Sequence, residues 1–536
     1  MRKEKVKKIL SITALVILTI IFFSYNIVIC VDSSHYTWLS NLIGDRASFQ
    51  NWDVARGIVF PMIIHILTVI CGENVISLQI GMSIAYVAVL GVTYEILKEM
   101  DEEFKFNKFL KIALVILAVF LIILNPMIFG YYHVILTEFV SMTACIVASY
   151  FAWKWIECNF ETSKIKYIIY TLYFGCSMAF MWHLKQPYVL TILAPVIISI
   201  ILSYIKNWNW KNVLQRAVSL VVCGITLLAS IKLWNFTLVH YNVVIEQGRT
   251  SSGFLSGQIL AGMTEYHYIE DKEEYTKEKI TANEKISQED KDKINEIIDG
   301  KSKQYKNYAL YECANNTKIK VLYSKEEAVS VAEALKFEMS AFLEDPNSII
   351  KGYVCNYFTT IGLFKAQTVD ASAVATHELT WADTYENSFI GYNTYRDMIN
   401  DLGVPEHYYS YIENYVGVNR QIKFVNMYMT RLFLITIYTF KLFLLASPIL
   451  ALAAFIKFIV LKIKKYENKK LRIYELLTIL YGYAFLNVLM NAVLGALIDR
   501  YVISSYIAVN LALLIHFGYL CTMIIEKIKS KQAERK

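Results

Sequence analysis

Long apolar runs recur through most of this chain and restrict it to one kind of fold. Crossing the roughly 30 Å of bilayer hydrocarbon takes about 20 apolar helical residues. Runs of about that kind occur at 10–30, 76–97, 110–125, 134–153, 166–183, 188–205, 213–234, 432–460, 473–498 and 501–525. Inside lipid each segment must satisfy its own backbone hydrogen bonds, so these runs read as helices. Of the 536 residues 56% are hydrophobic and 18% charged, below the ~25% charged that is usual for soluble domains. The expected fold is an all-α polytopic membrane protein with about ten transmembrane helices.

Charge sets the expected topology. The net charge of +7 arises from lysines and arginines beside the apolar runs, the pattern of cytoplasmic loops. No nucleic acid is needed to explain it. Basic residues crowd the N-terminus, the connections after the second, fourth, sixth and eighth runs, and the C-terminal tail. The positive-inside rule then puts both termini in the cytoplasm. It places Asp32, Glu138, Lys185 and Asp499-Arg500 on or near the outer face. The first run follows a basic opening like that of a signal peptide, but it is long and no small-residue cleavage site follows Cys30, so it reads as an uncleaved span.

The division expected from this pattern has three parts. Residues 1–234 form an N-terminal transmembrane module with a first outer loop at 31–75. Residues 235–428 form one large, mainly helical extracytoplasmic domain. Residues 429–536 form a C-terminal transmembrane module with a basic cytoplasmic tail. Pro61 to Cys71 is apolar but too short to span, which suits a helix lying in the outer interface. In the large loop, Ile269 to Lys306 carries the charge density of a solvated helical surface, and Ser324 with Glu327 has the spacing of a capping box. The nine cysteines are scattered. No pair has metal-ligand spacing, and whether Cys313 and Cys355 pair in the outer loop is left open by spacing alone.

The end of the first run is the richest in chemistry. It passes into Asp32-Ser33-Ser34-His35-Tyr36, and Asp45, Arg46, Trp52, Asp53 and Arg56 follow before Pro61. Further along come Asn125-Pro126, Tyr131-Tyr132 leading to Leu136-Thr137-Glu138, then Lys185-Gln186-Pro187, and finally Asp499-Arg500-Tyr501. In this order, and on one expected face, these elements resemble the GT-C superfamily of integral membrane glycosyltransferases, in the branch with protein O-mannosyltransferases and lipid A aminoarabinose transferases. The resemblance covers roughly residues 1–235 and 430–525. The chain departs from the pattern at Ser33, where many relatives have a second acid, and at Lys185, where many have Arg. It also lacks the proline that often follows the Arg-Tyr element.

The resemblance implies a sugar carried on polyprenyl phosphate, transferred outside the membrane to a hydroxyl of a cell-envelope glycan, lipid or protein. Such a donor makes its own demands. The acceptor hydroxyl needs a base, and Asp32 is the candidate; help of this kind is worth about 10²–10⁴ in rate. Displacement from one face inverts the anomeric centre and needs a base rather than a nucleophile pair. The leaving phosphate needs cations, and Arg56, Lys185 and Arg500 are the candidates. Glu138 has three roles open to it: orienting the acceptor, holding a divalent ion with Asp32, or pairing with a basic residue. His35, Tyr36 and Tyr501 are candidate substrate contacts. No cofactor is otherwise implied. A composition rich in Ile, Lys, Asn and Tyr suits a bacterium with an AT-rich genome, hence a plasma membrane.

Plainer roles stand beside these. Asp32 in solvent, Lys185 snorkelling to headgroups and Arg500 as an interfacial anchor each account for one residue alone. Two further functions also remain. A polysaccharide polymerase or ligase favours arginine-rich outer loops, whereas this loop is acidic and lysine-rich in its first half. A transporter or flippase favours internal repeats and mid-membrane charge, and here most charges sit at span ends, with Lys441 the exception inside a long span.

Overall fold

The computed structural model describes residues 2–25, 27, 31–53, 56–158, 160–161, 163–203, 210–243, 346–363, 423–464, 468–494 and 499–534, with isolated positions between 288 and 343. The described residues form helices and no strand. In chain order the helices are α1 (Arg2–Ser24), α2 (Val31–Gly44), α3 (Val59–Cys71), α4 (Val75–Phe104), α5 (Lys108–Ala118), α6 (Pro126–Tyr131) and α7 (Thr137–Glu157). They continue with α8 (Lys164–Leu184), α9 (Pro187–Ser203), α10 (Trp210–His240), α11 (Pro346–Thr360), α12 (Lys423–Ile463), α13 (Asn468–Val493) and α14 (Ile503–Glu534). Short 3₁₀ turns lie at Ser48–Asn51 and Asp499–Val502, and a π turn at Val119–Ile123 extends α5.

Among the described residues six helices are long and apolar enough to cross a membrane: α4, α7, α10, the Ile435–Ile463 part of α12, the Lys470–Val493 part of α13, and Arg500–Gln532 at α14. This makes the molecule consistent with a multi-pass, all-α membrane protein. Helices α1 and α9 add the shorter apolar stretches Thr13–Ser24 and Pro187–Ile201, and α5 and α8 fall on the remaining two predicted runs. The core lies around α7, α13 and α14, which pack on one another and on α4, α9 and α12. By contrast α10 rests mainly on α8 and leaves Leu214, Leu228 and Phe236 exposed, as suits a peripheral helix facing lipid.

Local sequence explains the breaks. Asn125 caps α6 by accepting from the backbone N–H groups of Met127 and Ile128, and Pro126 occupies the first turn, where its missing N–H costs nothing. Asn74 caps α4 in the same way. The Lys185-Gln186-Pro187 step ends α8 and starts α9, again with proline at the helix start.

The segment 31–75, expected as a loop, is mostly helical. Val31–Gly44 buries Leu39 and Leu42 against Phe49, Trp52 and Leu238, and its Tyr36 meets Phe60 of α3 edge-on with ring centroids 4.9 Å apart. The short apolar helix predicted at Pro61–Cys71 is α3; it buries Phe60, Pro61 and Ile64 and exposes Ile66, Val69 and Ile70. Within the large segment after α10, helix α11 docks on the bundle. Asn356 donates to the Ala492 carbonyl at 3.2 Å, and Tyr357 donates to the Leu444 carbonyl at 2.8 Å. Cys355 on α11 is a free thiol. Cys313, the charged stretch at Ile269–Lys306 and the Ser324–Glu327 pair lie outside the described residues, apart from Gln288 and Asp292.

Candidate functional site: a guanidinium clamp on Asp32

Two carboxylates start two helices at one end of the bundle. Asp32 stands in the first turn of α2 and Glu138 in the first turn of α7, where the helix dipole favours negative charge. Lys185 caps the C-terminus of α8, where a cation is favoured for the same reason. Arg56 arrives on the strap between Ser48–Asn51 and α3, and Arg500 on the 3₁₀ turn before α14.

These groups meet although they lie up to 468 positions apart. Arg500 Nη2 donates to Asp32 Oδ2 at 2.7 Å. Arg56 Nη2 donates to Asp32 Oδ1 at 3.4 Å, while its Nη1 donates to the Tyr36 hydroxyl at 3.2 Å. Arg500 also turns Nε toward Glu138 Oε1 at 3.9 Å. Glu138 and Arg500 are nearly sealed from solvent, with side chains 2% and 8% exposed, whereas Arg56 is 33% exposed. Burial pushes the Asp32 pKa upward, but Arg56 and Arg500 outweigh it and hold the carboxyl well below the usual carboxylate range. Burial pushes the Tyr36 phenol up to about 12, so its hydroxyl keeps its proton.

Lys185 is the unbalanced member. Its Nζ is shielded from solvent and has no hydrogen-bond partner among the described residues. It lies 3.1 Å from the centroid of the Tyr501 ring and 5.6 Å from that of Tyr188, a cation–π seat. Burial lowers its pKa to about 7; Glu138 acts to raise it, and Arg500 and Arg56 lower it further. Arg56, Arg500 and Lys185 thus lie among Asp32 and Glu138, with Asp53 also acting on Arg56.

The remaining predicted residues also gather here. His35 Nε2 lies 3.6 Å from Asp53 Oδ2, and its ring stacks on Trp38. Tyr501 contributes its ring face to Lys185, while its carbonyl faces the Tyr188 hydroxyl and the Asn487 amide. Sequence reading did not foresee Tyr188 under Lys185 or the Asp53 partner of His35. Each link crosses between helices or loops, and no local spacing announces it. Asp32 and Glu138 share Arg500 rather than forming an open pair, and among the described residues no three His, Cys, Asp or Glu side chains group as metal ligands.

Fold and cluster together are consistent with a class: an all-α, multi-pass membrane protein with a half-buried cluster of charged side chains at one end of its long helices. No family model, curated protein or solved structure matches the chain.

Proposed function

We propose that this chain is a GT-C-like membrane glycosyltransferase, with ten spans, that moves a sugar from a polyprenyl-phosphate donor to an acceptor hydroxyl with inversion. In this reading the protein lies in a bacterial plasma membrane with both termini cytoplasmic and the Asp32 end outside. The observation that carries it is the pairing of Arg56 and Arg500 with one carboxylate, Asp32, beside a Lys185 ammonium that has no hydrogen-bond partner among the described residues.

The chemistry follows from that arrangement. The acceptor oxygen forms a bond to the anomeric carbon as the bond from that carbon to the phosphate oxygen breaks. The electron pair leaves on the phosphate, and the acceptor proton passes to Asp32. Arg56, Arg500 and Lys185 offset the charge growing on the leaving group; guanidiniums suit this because two N–H groups match two phosphate oxygens. Glu138 holds Arg500 from the opposite side.

The test is transfer of a radiolabelled sugar from a panel of polyprenyl-phosphate sugars to envelope acceptors, by the protein in nanodiscs. The expected result is transfer by the wild type and a loss of about 10²–10⁴ for Asp32→Asn. An Asp32→Asn protein that keeps full activity would falsify the role of Asp32. Polyprenyl-linked sugar crossing a sealed bilayer without transfer would favour the flippase.

A further inference from the structure

Asp32 is poorly placed to accept a proton while both its oxygens are held. Arg500 grips Oδ2 at 2.7 Å and Arg56 reaches Oδ1 at 3.4 Å. A carboxylate paired with two guanidiniums is a weak base, and general-base catalysis works best when the base's affinity for protons is near the operating pH. A phosphate needs the same donors: two forked guanidiniums and an ammonium. In the described residues the guanidiniums hold Asp32 while the ammonium of Lys185 has no hydrogen-bond partner. Asp32 engages the two guanidiniums and leaves the nearby ammonium without a hydrogen bond among the described residues.

We propose that Asp32 occupies, in the free protein, guanidinium positions that the phosphate of a polyprenyl-phosphate donor takes over, so that phosphate arrival fills the clamp and frees Asp32 to act as base. This rests on the proposed donor chemistry and adds its control: the base is switched on by the phosphate group. A site without donor then has no active base with which to deprotonate water or acceptor.

The two arginines divide the task. Arg500 is nearly sealed and also faces Glu138, so it stays in place and re-aims its hydrogen bonds. Arg56 is more exposed and makes the longer contact, so it is the one to change partners. Its backbone is held meanwhile, because the Trp52 indole N–H donates to the Arg56 carbonyl at 3.2 Å. The guanidinium swings from a fixed base.

Competition has a consequence that a purely structural ion pair lacks: removing the carboxylate strengthens phosphate binding. The experiment measures binding of tritiated decaprenyl phosphate, with decaprenol as the uncharged reference, to the full-length protein in nanodiscs. Asp32→Asn is expected to bind decaprenyl phosphate about tenfold more tightly than wild type, with decaprenol binding unchanged. Asp32→Ser repeats the measurement with a side chain that also suits the first turn of a helix. Equal or weaker phosphate binding in both variants overturns the proposal while leaving the donor site intact. A wild type that does not distinguish decaprenyl phosphate from decaprenol overturns the donor reading, and the proposal with it.

Discussion

Lys185 shows how a residue suited to a ligand can be a burden to the fold. Its ammonium is shielded from water, rests on the Tyr501 ring and lacks a hydrogen-bond partner among the described residues. A buried cation without a full set of partners costs stability that an apolar side chain of like shape does not. Lys185→Met is therefore expected to raise the melting temperature, by about 1–3 kcal/mol of stability, while weakening decaprenyl phosphate binding; melting and binding measured on one sample check both. The pH dependence has a definite sign. The folded-state pKa of about 7 lies below the ordinary lysine value of 10.5, so between these values the unfolded chain holds more protons and stability rises with pH. The cost of the buried charge is full below pH 7 and is shed toward pH 10.5. The melting temperature of wild type should approach that of Lys185→Met across this window; a gap that stays constant would mean the ammonium is already fully compensated.

At the scale of elements, the strap carrying Arg56 is fastened mainly by aromatic rings and one glycine. Trp52 stacks on Phe49 with centroids 5.2 Å apart and meets Trp234 of α10 edge-on at 5.5 Å. A Cβ at Gly57 would stand 1.8 Å from the His183 carbonyl oxygen, so only glycine permits this approach of strap to α8. Gly57→Ala should push the strap off α8 and lower transfer at least tenfold with helix content unchanged, read by a kinetic assay beside circular dichroism; wild-type kinetics would mean that Arg56 does not depend on this contact. The other end of the bundle is tied by charge. Arg472 on α13 reaches Glu157 on α7 and, at 3.3 and 3.6 Å, Glu99 and Glu103 on α4, while Lys154 also pairs with Glu99 and Glu157. Arg472→Ala leaves three glutamates to one lysine, and should cost about 1–3 kcal/mol, seen as a lower melting temperature with phosphate binding retained below it. Of these two fastenings the sequence showed the ingredients but not the joints. Asn125-Pro126 and Lys185-Gln186-Pro187 could be read as breaks because capping and proline geometry are local. That Trp52 would meet Trp234, or Arg472 meet Glu157, depends on packing between distant segments.

Over the whole molecule, legibility followed the range of the forces involved. Hydropathy can be read run by run because it is a local property, and among the described residues six of the ten runs coincide with helices of membrane length. The polar seam inside the core was not visible that way: Asn487 donates to the Ser505 hydroxyl at 2.8 Å and Tyr483 to that of Ser504 at 2.7 Å, yet in the sequence each is merely a dip in an apolar run. Hydrogen bonds of this kind hold α13 to α14 where apolar contact alone gives little specificity in lipid. The site was legible as residues, with Asp32, Arg56, Glu138, Lys185 and Arg500 all in one cluster, but not as a clamp, since pairing is a property of the assembled helices. The two charged ends also fix an orientation to test. Helix α7 carries Glu138 at its start and Glu157 at its end, and its 21 residues extend about 30 Å at 1.5 Å per residue, the thickness of the hydrocarbon layer. If α7 spans the bilayer, the Asp32 cluster and the Arg472 network lie at opposite membrane surfaces. Most short basic connections lie at the Arg472 end, with Lys98, Lys164 and Lys462 among them, which the positive-inside rule assigns to the cytoplasm. Gln50 and Lys98 are exposed near the two ends. In a chain whose own cysteines are replaced by alanine, Gln50→Cys should react with an impermeant maleimide on intact cells, and Lys98→Cys only after the membrane is opened. The reverse pattern would place the Asp32 cluster in the cytoplasm, out of reach of an extracytoplasmic donor sugar, and would leave it needing a different anionic ligand.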